Sequence, residues 1–116
     1  MTIERIQGAA KGRARATRHG GLVYAVATDP DSALSVAEQT RNTLALLEKN
    51  LIDGGSDKTR IVQATVYLTD IANKAEMDEL WCEWIGGPEN WPQRACVGTQ
   101  LAGKTLVEIV AVATAK

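Results

Sequence analysis

The sequence predicts an α+β domain in which a mixed β-sheet carries two helices on one face. Three observations support this prediction. Short apolar or alternating segments typical of strands recur along the chain. Two longer segments repeat apolar residues at helical spacing. Gly, Pro and Asp separate these segments, which gives the element order β-β-β-α-β-α-β-β.

Length and composition limit the class of protein. The 116 residues are expected to form a single domain over 1–116. The 13 Lys+Arg and 14 Asp+Glu give a net charge of −1, which argues against a dedicated nucleic-acid binder. No apolar run is long enough for a membrane span, and the first residues lack a secretory signal. Two Cys and one His are too few for a disulfide framework or a four-ligand zinc site. We therefore expect a cytoplasmic protein without a metal or a membrane partner.

The first three predicted elements are strands. Residues 3–7 form a short strand candidate, and residues 13–18 alternate between charged or polar and small side chains with a period of two. Residues 22–27 form an apolar run typical of a buried strand. The Gly-containing segment 19–21 predicts a hairpin turn between the last two strands.

A helix is predicted over about residues 33–52. The preceding loop, residues 28–32, supplies candidate N-caps, and the glycines in residues 53–55 end the helix. Apolar residues at spacings of seven, three and four lie on one face of this helix: Ala37, Leu44, Leu47 and Leu51.

The second half of the chain predicts a strand, a helix and two further strands. The strand covers residues 60–68, with Val62, Ala64, Val66 and Leu68 on one face. Asp70 is a candidate cap for a helix over about residues 71–85. Strands follow at 94–99 and 106–113. Because both faces of the sheet contain apolar residues, we expect a partner chain to cover the face without helices.

Glu108 is the first candidate for chemistry. It is the only charged residue in the apolar run 106–113, and it shares a strand face with Leu106, Val110 and Val112. Desolvation there would raise the pKa of the carboxyl toward the range useful for proton transfer. A structural ion pair or an exposed edge position fits the same pattern.

Arg94 is the second candidate, with Cys96 on the same face of its predicted strand. A guanidinium at the start of a strand, after Pro92, has the shape to hold a carboxylate or a phosphate through two parallel bonds. A surface salt bridge is the alternative for Arg94, and a small buried hydrophobic residue is the alternative for Cys96. Trp91 is a candidate wall of a pocket.

A basic segment, residues 11–18, includes the first strand of the predicted hairpin and contains Lys11, Arg13, Arg15 and Arg18. Such charges usually block pairing at a sheet edge. Alternatively, Arg13 and Arg15 bind an anion from one face of the strand. His19 lies in the Gly turn and is expected to be exposed, with no role beyond the turn.

Three segments carry a resemblance to a known family. Residues 91–97 read Trp-Pro-Gln-Arg-Ala-Cys-Val, residues 107–113 read Val-Glu-Ile-Val-Ala-Val-Ala, and residues 61–70 end in Tyr-Leu-Thr-Asp. Together with Gln39 and Thr43 in the first helix, they resemble the Rid family of RidA-like (YjgF-like) reactive-intermediate deaminases. The resemblance covers about residues 20–116.

The resemblance implies a fold, an assembly and a reaction. The fold is chorismate-mutase-like, and three chains form a homotrimer with a central barrel of sheets and active sites between subunits. The implied reaction hydrolyses 2-imino or enamine acids, such as 2-aminoacrylate, to 2-oxo acids and ammonia without a cofactor. By resemblance, Arg94 binds the carboxylate of this small imino or oxo acid, Cys96 lines the site and Glu108 positions water.

Two departures from the family pattern leave alternatives open. The family's Gly-Pro-Tyr is replaced by Gly12-Arg13-Ala14, which places Arg13 near the Tyr position, and its Thr-Ser-Gly is replaced by residues 25–27, Ala-Val-Ala. One alternative is therefore a trimer that binds a small carboxylate through Arg94 and Arg13 without turnover. A ribonuclease-like role through residues 11–18 is a further alternative, against which the net charge of −1 argues.

Overall fold

The computed structural model describes residues 2–116, which form one six-stranded mixed sheet and two α-helices. The predicted fold class and the predicted order of elements are confirmed. Short 3₁₀ turns at 58–60, 71–73 and 88–90 lie between the main elements. In chain order these elements are β1 (Glu4–Gln7), β2 (Ala14–His19), β3 (Leu22–Thr28), α1 (Val36–Asp53), β4 (Ile61–Leu68), α2 (Lys74–Ile85), β5 (Gln93–Gly98) and β6 (Val107–Thr114).

The strands lie in the order β1-β2-β3-β6-β4-β5. All neighbouring strands are antiparallel except β4 and β5, which run parallel because α2 crosses between them. The β6 strand therefore lies inside the sheet, whereas β5 forms one of its edges. This order separates the two candidate residues, Glu108 on β6 and Arg94 on β5, by the width of β4.

The core lies between the sheet and the two helices. In β6, alternate residues are buried, and the same alternation in β4 completes one apolar sheet face. The helices cover that face with side chains that are at most 5% exposed: Leu44, Leu47 and Leu51 from α1, and Met77, Trp81 and Ile85 from α2. No helix in residues 2–116 has the length and apolar character needed to cross a membrane.

The opposite face of the sheet carries apolar side chains that remain partly exposed. Val26, Val110 and Val112 are half-buried, and Tyr24 is 44% exposed. These residues line a shallow cavity of about 290 Å³ on the middle strands.

A buried amide joins α1 to the segment that leads into β6. The Gln39 side chain donates hydrogen bonds to the carbonyl oxygens of Ala33 (2.7 Å) and Lys104 (2.9 Å). Its amide oxygen accepts a hydrogen bond from the backbone N–H of Leu106 (2.8 Å). Because Gln39 is only 1% exposed, these bonds replace water for three backbone groups.

The start of the first helix was predicted too early. The helix begins at Val36 rather than near residue 33, and the Ser35 hydroxyl caps it by accepting the N–H of Glu38 (3.1 Å). The physical reason lies in Asp29, whose carboxylate accepts the N–H groups of Asp31 (2.8 Å) and Ala33 (2.7 Å). These bonds hold the preceding segment as a loop instead of a helical turn.

Two other details differ from the sequence prediction. Val62 was predicted to share a face with Ala64, Val66 and Leu68, but a bulge in β4 leaves it 48% exposed and turns Ile61 inward at 5%. Asp70 caps a 3₁₀ turn, Ile71–Asn73, by accepting the N–H of Ala72 (2.9 Å), and α2 itself begins at Lys74.

Candidate functional site

Arg94 projects from β5 toward the helices, because its strand partner Ala64 belongs to the core face. Its Nη2 donates a hydrogen bond to Oδ1 of Asp78 on α2 (2.5 Å), and its Nη1 lies 3.7 Å from Sδ of Met77. The guanidinium carbon lies 5.2 Å from the ring centroid of Trp81, within the range of a cation–π interaction. The side chain is 17% exposed, so these contacts hold the guanidinium in one place.

Asp78 lies between two cations. It accepts a hydrogen bond from Nζ of Lys74 (2.7 Å) as well as the bond from Arg94. Burial alone would raise the pKa of Asp78, but the hydrogen bonds and charges of Lys74 and Arg94 outweigh it and lower the pKa. The group of three side chains therefore carries a net charge of +1 at neutral pH.

A cavity of about 380 Å³ lies beside Arg94 on the helix side of the sheet. Trp91, which is 59% exposed, stands on its wall, and the indole Nε1 donates a hydrogen bond to the carbonyl of Gly86 (2.9 Å). The residues that line this cavity are Asp78, Trp81, Cys82, Trp91, Pro92 and Arg94.

Cys96 lies on the same strand face as Arg94 but packs against the core, opposite Val66 on β4. It is not among the residues that line the cavity beside Arg94. Burial raises the pKa of the Cys96 thiol, and the nearby charge of Arg94 only partly opposes this effect. The side chain is therefore a neutral thiol at pH 7, which does not favour attack on a substrate.

Glu108 points away from the helices, on the face that also carries Val110 and Val112. Its strand partners are Thr28 on β3 and Tyr67 on β4, so two hydroxyl-bearing residues flank it in the sheet. Glu108 is half-buried and lines a cavity of about 130 Å³.

Arg13 lies in the turn before β2 and lines the same small cavity as Glu108. It also lines a neighbouring cavity of about 480 Å³ together with Arg5. Arg15, the other proposed anion ligand, instead forms an ion pair with Asp53 (2.8 Å) and donates to Oδ1 of Asn50 (2.8 Å). Arg15 nevertheless lines the small cavity together with Arg13 and Glu108, so an anion shared by the two arginines stays a prediction.

His19 is half-buried rather than exposed as predicted, with Nδ1 lying 3.2 Å from the carbonyl oxygen of Thr2. Within residues 2–116, no group of three or more His, Cys, Asp or Glu side chains is arranged to hold a metal ion.

The structure brings the predicted site residues together in two pairs. Arg94 and Trp91 share the cavity on the helix side, and Glu108 and Arg13 share the cavity near the start of β2. In one chain the two pairs lie on different faces of the sheet.

Comparison with known proteins decides the family. The model of the family described as Endoribonuclease L-PSP matches residues 4–115, nearly the whole chain. A member of the YjgF protein family from Neisseria meningitidis has a solved structure that superposes with a TM-score of 0.92 at 31% sequence identity, covering 100% of this chain and 97% of that chain. The chain belongs to the YjgF (Rid) family.

Other YjgF-family relatives agree with this assignment. A RutC family protein of Haemophilus influenzae is 34% identical over 117 residues, covering 98% of this chain and 99% of that protein. A RutC family protein of Haemophilus ducreyi is 37% identical over 94 residues, covering 79% of this chain and 80% of that protein. Yeast Mmf1 shares the fold, with a TM-score of 0.91 at 23% identity over 99% of this chain and 100% of that chain.

Sequence reasoning did not select Asp78 and Trp81 as site residues, although both contact Arg94. A signal was available, since Asp78 lies four residues after Lys74, three before Trp81 and four before Cys82, which are spacings of neighbours on one helix face. Thr28 was also not considered, because its position opposite Glu108 depends on the register between β3 and β6.

Proposed function

We propose that this protein hydrolyses 2-imino acids to 2-oxo acids and ammonia. Membership of the YjgF (Rid) family supports the reaction class through the resemblance described above. The observation that carries the proposal is the position of Arg94, a largely buried guanidinium on the wall of a cavity large enough for a small acid.

Arg94 would anchor the substrate carboxylate. A guanidinium has five N–H donors, and the contacts to Asp78 and Met77 engage only part of this set. Since Lys74 also balances the charge of Asp78, the cluster keeps a net positive charge for an incoming anion. The cation–π contact with Trp81 fixes the guanidinium plane, which reduces the entropy lost when a carboxylate binds.

Glu108 would act on the attacking water. The carboxylate accepts a proton as the water oxygen bonds to the imine carbon, and the electron pair of the C=N bond moves to nitrogen, which takes up a proton. In the resulting carbinolamine, the hydroxyl proton passes to nitrogen by way of Glu108. The C–N bond then breaks, ammonia leaves and the oxo group forms. General acid–base help of this kind is typically worth about 10²–10⁴-fold in rate.

The proposed site lies between copies of the chain in a homotrimer, where the Arg94 side of one subunit meets the Glu108 side of another. The partly exposed apolar face around Val26, Val110 and Val112 supports such an assembly, because a partner sheet would remove it from water.

Complementation between two inactive variants tests this proposal. Arg94→Ala and Glu108→Gln are purified separately, then unfolded together, refolded and assayed for ammonia release from freshly generated 2-iminopropanoate against the spontaneous rate. Each variant alone should give only the spontaneous rate. In a random mixed trimer, about one quarter of the sites combine an intact arginine with an intact glutamate from different chains.

Recovery of about a quarter of the wild-type activity supports a site shared between subunits. Wild-type activity without any recovery in the mixture would contradict the shared site. Absence of acceleration by the wild-type protein would contradict imine hydrolysis itself.

A second candidate is a carboxylate-binding protein without turnover. The observation that favours it is that Glu108 is not among the residues that line the cavity beside Arg94, so this cavity has a carboxylate anchor without the proposed general base. The hydroxyl lost in the segment Ala25-Val26-Ala27 points the same way. Thermal stabilisation by 2-oxo acids together with ammonia release at the spontaneous rate would select this candidate.

A ribonuclease activity is the third candidate, because the family description names an endoribonuclease and Arg5 and Arg13 line one cavity. Cleavage of RNA that falls steeply with added salt would support it, since phosphate contacts release counterions.

A further inference from the structure

We infer that the cavity beside Arg94 is a side-chain subsite that accepts bulky apolar or aromatic groups and rejects a second carboxylate. This inference rests on the proposed function, because it assumes that Arg94 holds the carboxylate of a 2-imino or 2-oxo acid. It adds the substrate class: monocarboxylic acids with large apolar side chains.

The position of Arg94 connects the anchor to the cavity. The guanidinium is itself part of the cavity wall, and its contacts with Asp78 and Trp81 keep it there. In a 2-oxo acid, the side chain begins two bonds from the carboxylate carbon. A carboxylate bound to Arg94 therefore brings its own side chain within reach of this cavity.

The cavity wall is mostly apolar and aromatic. Trp81 is packed into the core at 5% exposure, whereas Trp91 stands at the mouth and is fixed by its hydrogen bond to Gly86. Pro92 and Cys82 complete the apolar part of the lining. Two indole rings and a volume of about 380 Å³ suit an aromatic or branched side chain, and they give a methyl group little to contact.

Asp78 supplies the discrimination against acidic side chains. Its carboxylate lines the cavity, and its two hydrogen-bonded cations, Lys74 and Arg94, keep it ionised. The carboxylate anchored on Arg94 brings the net charge of Lys74, Asp78 and Arg94 from +1 to zero. A second carboxylate would then meet Asp78 without a compensating positive charge, and like charges repel. A neutral apolar side chain has no such penalty.

Calorimetric titration of three stable 2-oxo acids tests the subsite. The probes are 2-oxo-3-phenylpropanoate, 2-oxopropanoate and 2-oxopentanedioate, which share the anchored carboxylate and differ only in the side chain. Since one methylene in an apolar pocket gives roughly 10-fold discrimination or more, we expect the phenyl acid to bind at least about 10-fold more tightly than 2-oxopropanoate. The dicarboxylic acid should bind most weakly.

Two variants test whether the preference for the phenyl acid arises in this cavity. Cys82→Trp places a large ring at the cavity wall from an exposed position on α2, so the chain is expected to fold. It should lower the affinity ratio of the phenyl acid to 2-oxopropanoate by about 10-fold. Leu34→Ala removes an 87% exposed side chain in the loop before α1 and should leave the ratio as in the wild type.

Equal affinity for the phenyl acid and 2-oxopropanoate, or a ratio that Cys82→Trp does not change, would overturn the inference. The outcome is independent of turnover. A preference for the phenyl acid without ammonia release supports the subsite and contradicts the deaminase proposal. Ammonia release with no preference among side chains supports the deaminase proposal and contradicts the subsite.

Discussion

Replacing Arg94 by Ala should lower kcat/KM much more than the free energy of unfolding. The variant therefore distinguishes anchoring of the substrate carboxylate from a role in stability. The ion pair with Asp78 is partly exposed, at 17% and 31%, so its loss costs about 0.2–1 kcal/mol. Loss of the cation–π contact with Trp81 adds about 0.5–1 kcal/mol. A domain with a typical stability of about 5–15 kcal/mol remains folded after a loss of this size.

The expected effect on catalysis is larger. Each hydrogen bond to a charged group is worth about 1.5–3 kcal/mol, so two parallel bonds to a substrate carboxylate give about 3–6 kcal/mol. This corresponds to a loss in kcat/KM on the order of 10²–10⁴-fold. The assay follows oxo-acid release from freshly generated 2-iminopropanoate, corrected for spontaneous hydrolysis, together with urea unfolding of each variant.

Two further variants complete the experiment. Arg41→Ala removes an exposed arginine on α1, outside the cavity beside Arg94, and should change neither kcat/KM nor stability measurably. Arg94→Lys keeps the charge but not the forked donor geometry, so it should recover only part of the loss. If Arg94→Ala keeps kcat/KM within about threefold of the wild type while remaining folded, the anchoring argument is wrong.

Three other predictions follow from the described residues. The pKa of Asp78 is lowered because hydrogen bonds from its two cationic partners outweigh burial. Its contribution to stability is therefore present above the unfolded value of 3.8 and is lost as the pH falls through the folded pKa. In urea unfolding, the difference in free energy of unfolding between wild type and Asp78→Asn should narrow below about pH 4. Iodoacetamide at neutral pH should alkylate the exposed Cys82 well before Cys96, because burial raises the pKa of Cys96. Peptide mass spectrometry follows both sites, and faster alkylation of Cys96 would contradict this prediction. Gly54→Ala would put a Cβ atom 2.7 Å from Cγ1 of Val23, so we expect a loss of about 1–3 kcal/mol in the free energy of unfolding. An unchanged urea midpoint would contradict this expectation.

The strands and helices were predictable because each has a local signal. The apolar runs at 22–27 and 106–113 and the helical spacing around Leu44 and Leu47 are local patterns. The structure has the corresponding elements within a few residues of the predicted bounds. The start of α1 was not predictable to the residue, because Asp29 and Ser35 are both competent capping residues.

The arrangement of the candidate site depends on long-range pairing, which a single sequence does not reveal. The faces on which Arg94 and Glu108 lie are set by the registers of β4 with β5 and with β6. The bulge at Val62 shows how one extra residue changes which side chains face the core. The sequence places Asp78 on a helix face, but its contact with Arg94 can be recognised only once the packing of α2 on the sheet is known.

The three hydrogen bonds of Gln39 restrict which amino acids this position can accept. The position requires a side chain that both donates and accepts at the reach of a glutamine, since it holds the carbonyls of Ala33 and Lys104 and the N–H of Leu106. Glutamate lacks the donors, lysine lacks the acceptor and asparagine is one methylene shorter. Gln39 lines neither the cavity beside Arg94 nor the cavity beside Glu108, yet it fixes the segment that leads into the Glu108 strand. A saturation library selected for folded protein should therefore recover little but glutamine at this position.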